Sequence, residues 1–192
     1  MTFIARIGAV LLALATLEAQ AVDIKDPENT LIIELEGGEV VIEMLPDVAP
    51  NHVARIKELA REGEYDNVAF HRVIEGFMAQ TGDVQYGDMA DGWGRGTPGT
   101  GGSAKPDLGQ EFSSVPFDRG VVGMARTNDP NSANSQFFIM FEEGHFLNNQ
   151  YTVWGRVISG MELVDNIKRG AGRSGSVDEP DRMVKVRVAG DS

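Results

Sequence analysis

Leucine, isoleucine and valine crowd into two runs of LIIELEGGEVVIEM, residues 31–44, on either side of Gly37-Gly38. Two β-rich runs around a glycine pair predict a hairpin. After Pro46 and Pro50 the period changes. Val53, Ile56, Leu59 and Ala60 recur at helical spacing, and Gly63 stands where a helix would stop, so an amphipathic helix is predicted over 51–62. Residues 68–74, 77–81, 121–125, 137–141 and 151–157 read as further strands. Ser159-Gly-Met-Glu162 has the form of a capping box opening a second helix. Met161, Val164 and Ile167 make its apolar face, and Gly170 ends it. Val184, Val186 and Val188 alternate as a last strand. Many short strands with two separated helices predict a mainly β fold, an antiparallel barrel or sandwich with helices at its ends. No internal repeat is visible, and the glycines concentrated between Gly82 and Gly109 predict a long surface loop.

A chain of 192 residues is one domain by default, with length enough for a proper core. Seventeen basic against 29 acidic residues give a net charge of −12, which repels phosphate backbones and argues against a nucleic-acid partner. The absence of cysteine removes disulfides, thiolate nucleophiles, Cys-type zinc sites and a lipoprotein anchor.

The N-terminus bears on compartment. MTFIAR carries one positive charge, IGAVLLALATL has the length of a signal-peptide core, and Ala19-Gln20-Ala21 offers small residues one position apart. Cleavage is expected after Ala21, leaving a short extension over 22–29 and a domain over 30–192. The alternative is an uncleaved N-terminal anchor. The mature protein is expected to be exported, with the periplasm as its compartment, and to be free of the membrane.

Most candidate motifs reduce to structure. GRGTPG satisfies G-x-G-x-x-G at Gly94, Gly96 and Gly99, but no strand leads into it and Pro98 interrupts it, so it reads as loop. His52, His71 and His145 show no metal-ligand spacing. Gly101-Gly-Ser103-Ala-Lys105 lacks the last glycine of a nucleophile elbow. Glu142-Glu143 lies in polar loop sequence and reads as solvated surface.

FHRVIEGFMAQTGD, residues 70–83, is different. Strand alternation puts Phe70, Arg72 and Ile74 on one face and His71 on the other. An arginine on a largely apolar face needs an anion, a carbonyl or a ligand. Taken alone, a structural ion pair is the simpler explanation. Gln80 raises the same question, as does Gln136 directly before Phe137-Phe138. With Phe77, Met78 and Phe138, these residues would form an apolar pocket with a few convergent polar groups.

That stretch, with GVVGMAR (120–126), NSQFFI (134–139) and FLNNQYTVWGRV (146–157), resembles the signature of the cyclophilin family of peptidyl-prolyl cis-trans isomerases. The motifs keep the family's order and approximate spacing from about Thr30 to Val188. The resemblance implies a closed eight-stranded antiparallel barrel capped by two helices. It implies that Arg72 is the catalytic arginine, that Phe77, Met78, Phe138 and Leu147 wall the proline pocket, and that Gln80 and Gln136 make its polar contacts. Ala125 and Arg126 match the segment whose backbone pairs with the bound peptide. Phe146 stands where many members have the tryptophan that supports cyclosporin binding, and Tyr151 where many have histidine. Within the glycine-rich loop only Gly82 is carried over.

Prolyl isomerisation breaks no covalent bond, so the resemblance implies no nucleophile, metal or cofactor. Proline-containing peptides and unfolded exported proteins are the expected partners, and a monomer suffices. Two other readings stay open at this stage. One is a peptide-binding chaperone module with little turnover, and the other is a barrel for a different small ligand.

Overall fold

The computed structural model describes residues 23–91, 93 and 95–191. The expected signal peptide and Gly94 of the glycine motif lie outside the described residues. Eight strands form one antiparallel sheet: β1 (Thr30–Leu35), β2 (Gly38–Met44), β3 (Arg72–Ile74), β4 (Met78–Thr81), β5 (Val121–Met124), β6 (Phe137–Met140), β7 (Val153–Ser159) and β8 (Lys185–Val188). Their spatial order is β3-β4-β6-β5-β7-β2-β1-β8.

The expected closure is only partial. No ladder joins β3 to β8. Instead the residues just before each strand meet, in an isolated Ala69–Arg182 bridge. The amide of Phe70 donates to the Asp181 carbonyl at 2.9 Å and that of Met183 to the Val68 carbonyl at 2.9 Å. The sheet is thus a strongly curled one, stitched at its seam rather than zipped. Curling has a physical return, since it removes most of the unpaired edge that a flat sheet would expose.

The hairpin forms one residue earlier than predicted. Leu35 pairs with Gly38, so Glu36-Gly37 is the turn and Gly38 opens β2. The first helix, α1 (Pro50–Arg61), starts at a proline, whose missing N–H costs nothing in the first turn. It buries Val53, Ile56, Leu59 and Ala60 against the barrel. Its N-cap, Ala49, has no capping side chain. Glu111 substitutes from 60 residues away, accepting from the Asn51 and His52 amides at 3.1 Å each. Burial pushes the Glu111 carboxyl up, but hydrogen bonds from His52 and these amides outweigh it and hold it below the usual value.

The second helix, α2 (Met161–Asp165), is shorter than predicted and has no capping box. Ser159 is instead the last residue of β7, paired with Val41. Gly160 is the N-cap at φ +81, and a Cβ there would sit 2.4 Å from the Glu39 carbonyl oxygen. The close approach of the helix start to β2 therefore requires glycine.

Two apolar clusters flank the sheet. The interior one includes Leu31, Ile42, Phe70, Val73, Ala79 and Trp154. The other, on the sheet's outer surface, holds Met78, Phe117, Phe138, Met140, Leu147 and Val153. This second cluster carries the candidate site.

Candidate functional site

The β3–β4 ladder sets the site's geometry. Arg72 pairs with Gln80 and Ile74 with Met78, while Val73 and Ala79 point into the core between them. Residues directly opposite in a ladder share a face, so Arg72 and Gln80 stand side by side over the outer cluster. Phe70 is a correction to the expected alternation. It belongs to the interior cluster, because the regular strand begins only at Arg72. His71 is buried at 6% exposure and packs beneath the glycine-rich loop, where a Cβ on Gly99 would come within 2.9 Å of its ring.

Arg72 is held from two sides. Its Nε donates to the Ser174 carbonyl at 3.0 Å and its Nη1 to Gln80 Oε1 at 3.0 Å. Among the described residues Nη2 has no hydrogen-bond partner, and Arg72 forms no ion pair. Partial burial draws its pKa below the ordinary guanidinium value, yet a guanidinium stays charged at any physiological pH. The simpler expectation of a structural ion pair thus fails here: the cation's fixed partners are neutral oxygens.

The line of polar groups continues. Gln80 Nε2 donates to Gln136 Oε1 at 2.9 Å, and Gln136 Nε2 to the Gly101 carbonyl at 2.9 Å. Gly101 in turn donates its amide to Asp83 Oδ2 at 3.0 Å. Asp83 is fully buried. It also accepts from the amides of Gln85 and Tyr86 through Oδ1 and of Gly99 through Oδ2. One carboxylate therefore gathers four backbone donors and fixes the glycine-rich loop against the end of the relay. Sequence reasoning missed Asp83, although it closes the stretch that contains Arg72. Its signal was available: an aspartate accepting from the amide two residues on is an Asx turn.

A cavity of about 240 Å³ opens beside this relay, lined by Arg72, Phe77, Met78, Gln80, Ala125, Arg126, Phe138, Phe146, Leu147 and Tyr151. All the predicted site residues except Gln136 line it, and Gln136 reaches it through Gln80. Its size is below the roughly 300–1,000 Å³ of pockets that enclose a drug-sized ligand, which suits one side chain of an extended peptide. Met78, Phe138 and Leu147 form a nearly buried floor. Phe146 is 66% exposed and leans on Phe77 with ring centroids 5.5 Å apart, so these two make a rim. Tyr151 stands edge-on to Phe138 at 5.8 Å, and the Arg126 guanidinium lies 4.4 Å from the Tyr151 ring centroid.

The backbone at Ala125 and Arg126 is only partly free. The Ala125 amide donates to the Gln136 carbonyl at 2.9 Å, so it is not open to a ligand. Among the described residues the Ala125 carbonyl and the Arg126 amide have no partner.

A family model described as cyclophilin type peptidyl-prolyl cis-trans isomerase/CLD matches residues 30–189. The chain is 55% identical over 195 residues to a probable peptidyl-prolyl cis-trans isomerase of Brucella suis, with all of both chains covered. It is 38% identical over 147 residues to peptidyl-prolyl cis-trans isomerase B of Escherichia coli, covering 72% of this chain and 84% of that one. The crystal structure of cyclophilin AquaCyp293 from Hirschia baltica superposes with a TM-score of 0.74 at 30% identity, covering 87% of this chain and 76% of that one. A cyclophilin type isomerase of Cryptosporidium parvum, solved in the presence of the dipeptide Ala-Pro, shares the fold at a TM-score of 0.70 and 24% identity, covering 83% of this chain and 98% of that one. With an eight-stranded curled sheet, a matching family model over nearly all the described chain and relatives of the same activity, the chain belongs to the cyclophilins and is a peptidyl-prolyl cis-trans isomerase.

Proposed function

We propose that Arg72 lowers the barrier to rotation about X-Pro bonds and that the protein does so for chains folding after export. The uncatalysed barrier is about 18–20 kcal/mol because the C–N bond has partial double character. At the top of that barrier the amide is twisted and its nitrogen has regained a lone pair. A fixed cation with a free N–H beside that nitrogen stabilises the twisted form more than either planar form, which is the condition for catalysis.

The observation that carries this reading is the state of the Arg72 guanidinium. Two of its nitrogens are pinned by neutral acceptors, Ser174 O and Gln80 Oε1. Among the described residues the third nitrogen has no acceptor, and Arg72 lines the cavity. The floor of Met78, Phe138 and Leu147 would grip the proline ring while the preceding carbonyl turns. The Ala125 carbonyl and the Arg126 amide would hold the peptide backbone in register. Gln80 and Gln136 act on Arg72 rather than on the bond. No step calls for a metal, a nucleophile or a transferable proton.

Export rests on the first 21 residues of the sequence: a positive start, an apolar core and Ala-Gln-Ala. X-Pro bonds interconvert over roughly tens to hundreds of seconds uncatalysed, which can limit folding, so a secreted isomerase has clients wherever such bonds form. The protein would act as a monomer. Cell fractionation with N-terminal sequencing tests this: a periplasmic chain beginning at Val22 is expected, whereas a cytoplasmic chain beginning at Met1 would remove the exported role.

A further inference from the structure

The groove is cationic on an acidic molecule. The chain carries a net charge of −12, and most of its arginines end on carboxylates. Arg61 meets Glu28 and Asp191, Arg119 meets Asp165, Arg156 meets Glu43, Arg169 meets Glu75, and Arg187 meets Glu39. Among the described residues Arg72 and Arg126 have no such partner. Arg173 and Arg182 lack one too, but neither lines the groove.

Arg126 stands at a junction. It lines the apolar cavity and also a second cavity of about 350 Å³ that runs past Gly99, Thr100, Ser132 and Asn134. Neither cavity has an acidic residue in its wall. The side chain is held in place: Nε and Nη2 donate to the Gln150 carbonyl at 3.0 and 2.8 Å, Nη1 donates to the Thr127 carbonyl at 2.8 Å, and the plane covers Tyr151. Every one of those partners is uncharged, so the positive charge is positioned but not neutralised. A guanidinium has five N–H donors, and three are used, which leaves two for a ligand. The carboxylates close to these walls are engaged elsewhere: Asp83 is buried under four amides, Asp129 accepts from the Asn131 amide within its own loop, Glu75 meets Arg169, and Asp107 accepts from Asn134 Nδ2 at 2.9 Å.

We propose that Arg126 makes this isomerase prefer proline peptides that carry an acidic side chain within two residues of the proline. The inference rests on the groove being the substrate site, and it adds the class of substrate. A fixed, unneutralised guanidinium between the two cavities would meet a glutamate or aspartate flanking the bound proline with charge-assisted hydrogen bonds. It would repel a lysine at the same place. Diffusing acidic segments would also be drawn to a cationic groove on a molecule of net negative charge.

The test uses a set of short proline peptides with Glu, Gln or Lys placed in turn at the two positions on each side of the proline. Cis-trans exchange by NMR gives the catalysed rates, and NMR titration gives Kd for the same peptides. For the wild type, at one or more positions, Glu should exceed Lys by about five- to tenfold in kcat/KM and in affinity. Arg126→Gln should shrink that ratio to about twofold or less, Arg126→Lys should keep most of it, and about 1 M salt should erase it. A ratio below twofold at every position in the wild type would overturn the proposal, as would a ratio unchanged in Arg126→Gln. The two readings fail separately. Equal acceleration of Glu, Gln and Lys peptides would leave the substrate site intact and remove the charge preference. An absence of acceleration would count against the catalytic reading, and the Kd ratios would still decide the preference.

Discussion

Arg72 Nη1 and Gln80 Oε1 lie 3.0 Å apart because the two residues are direct partners in the β3–β4 ladder. The spacing is a property of sheet register, not of a flexible contact. Gln80 spends its other end on Gln136, and Gln136 on the Gly101 carbonyl, so the cation is anchored to the glycine-rich loop through two amide side chains.

If that relay positions Arg72, breaking it should reduce rate without abolishing binding. Gln80→Ala is expected to lower kcat by about tenfold, or about 1.4 kcal/mol of barrier, while KM changes by less than about threefold. Gln136→Leu keeps the volume and removes the relay's second link, so a smaller loss in the same direction is expected. Steady-state kinetics on one X-Pro peptide checks both. A loss carried wholly by KM would place these residues in binding instead.

Asp83 should matter more for stability than its distance from Arg72 suggests. Asp83→Asn leaves one oxygen where two served four amides, and hydrogen bonds to a charged group are worth roughly 1.5–3 kcal/mol each. A destabilisation of about 2–4 kcal/mol is expected, read as a drop in the urea midpoint at unchanged m. A change below about 0.5 kcal/mol would mean that the loop holds itself.

Acid should weaken the fold before it touches the chemistry. Burial lowers the pKa of His52, opposed by its 2.6 Å contact with Glu111, and burial likewise lowers that of His71. Each histidine therefore takes up a proton more readily unfolded than folded. Stability is then fully present above the unfolded value of about 6.5 and falls as pH drops through it. Glu111, held below the ordinary carboxyl value, adds a further loss as pH falls below that value and through its lowered one in the folded protein. Urea midpoints should be level from pH 8 to about pH 7 and decline from there to pH 5. Over pH 6–8, kcat/KM should be flat for the folded protein, because a guanidinium does not titrate there. A bell-shaped profile would require a titrating acid or base that the site does not contain.

Period and glycine position made much of the fold legible. The hairpin, α1 and the strands around β5 to β8 follow from apolar spacing, because burial of one face is a local demand on sequence. The pocket was legible for a different reason. Arg72 and Gln80 are residues that an apolar strand does not carry without cause, and the motifs around them match a family. What stayed hidden depends on long-range approach. The Glu111 cap joins residues about 60 apart in sequence, the seam between 68–70 and 181–183 is made of isolated bonds, and the partner of Arg72 Nε is a backbone carbonyl at Ser174, which has no side-chain signature. The capping box at Ser159 misled because β7 runs two residues past the predicted end at 157 and finishes on that serine.

The central claim is that a cation, held with one edge free, lowers the rotation barrier. Its most direct test is cis-to-trans exchange of an X-Pro peptide measured by NMR for the wild type, Arg72→Ala and Arg72→Lys. Removing one preorganised donor typically costs about 10²–10³ in rate, so Arg72→Ala should lose about that factor in kcat/KM. Arg72→Lys should recover little, since a single ammonium nitrogen lacks the planar fork that meets Ser174 O and Gln80 Oε1 from two nitrogens and presents a third. An Arg72→Ala protein that is folded by circular dichroism and as fast as the wild type would contradict the account.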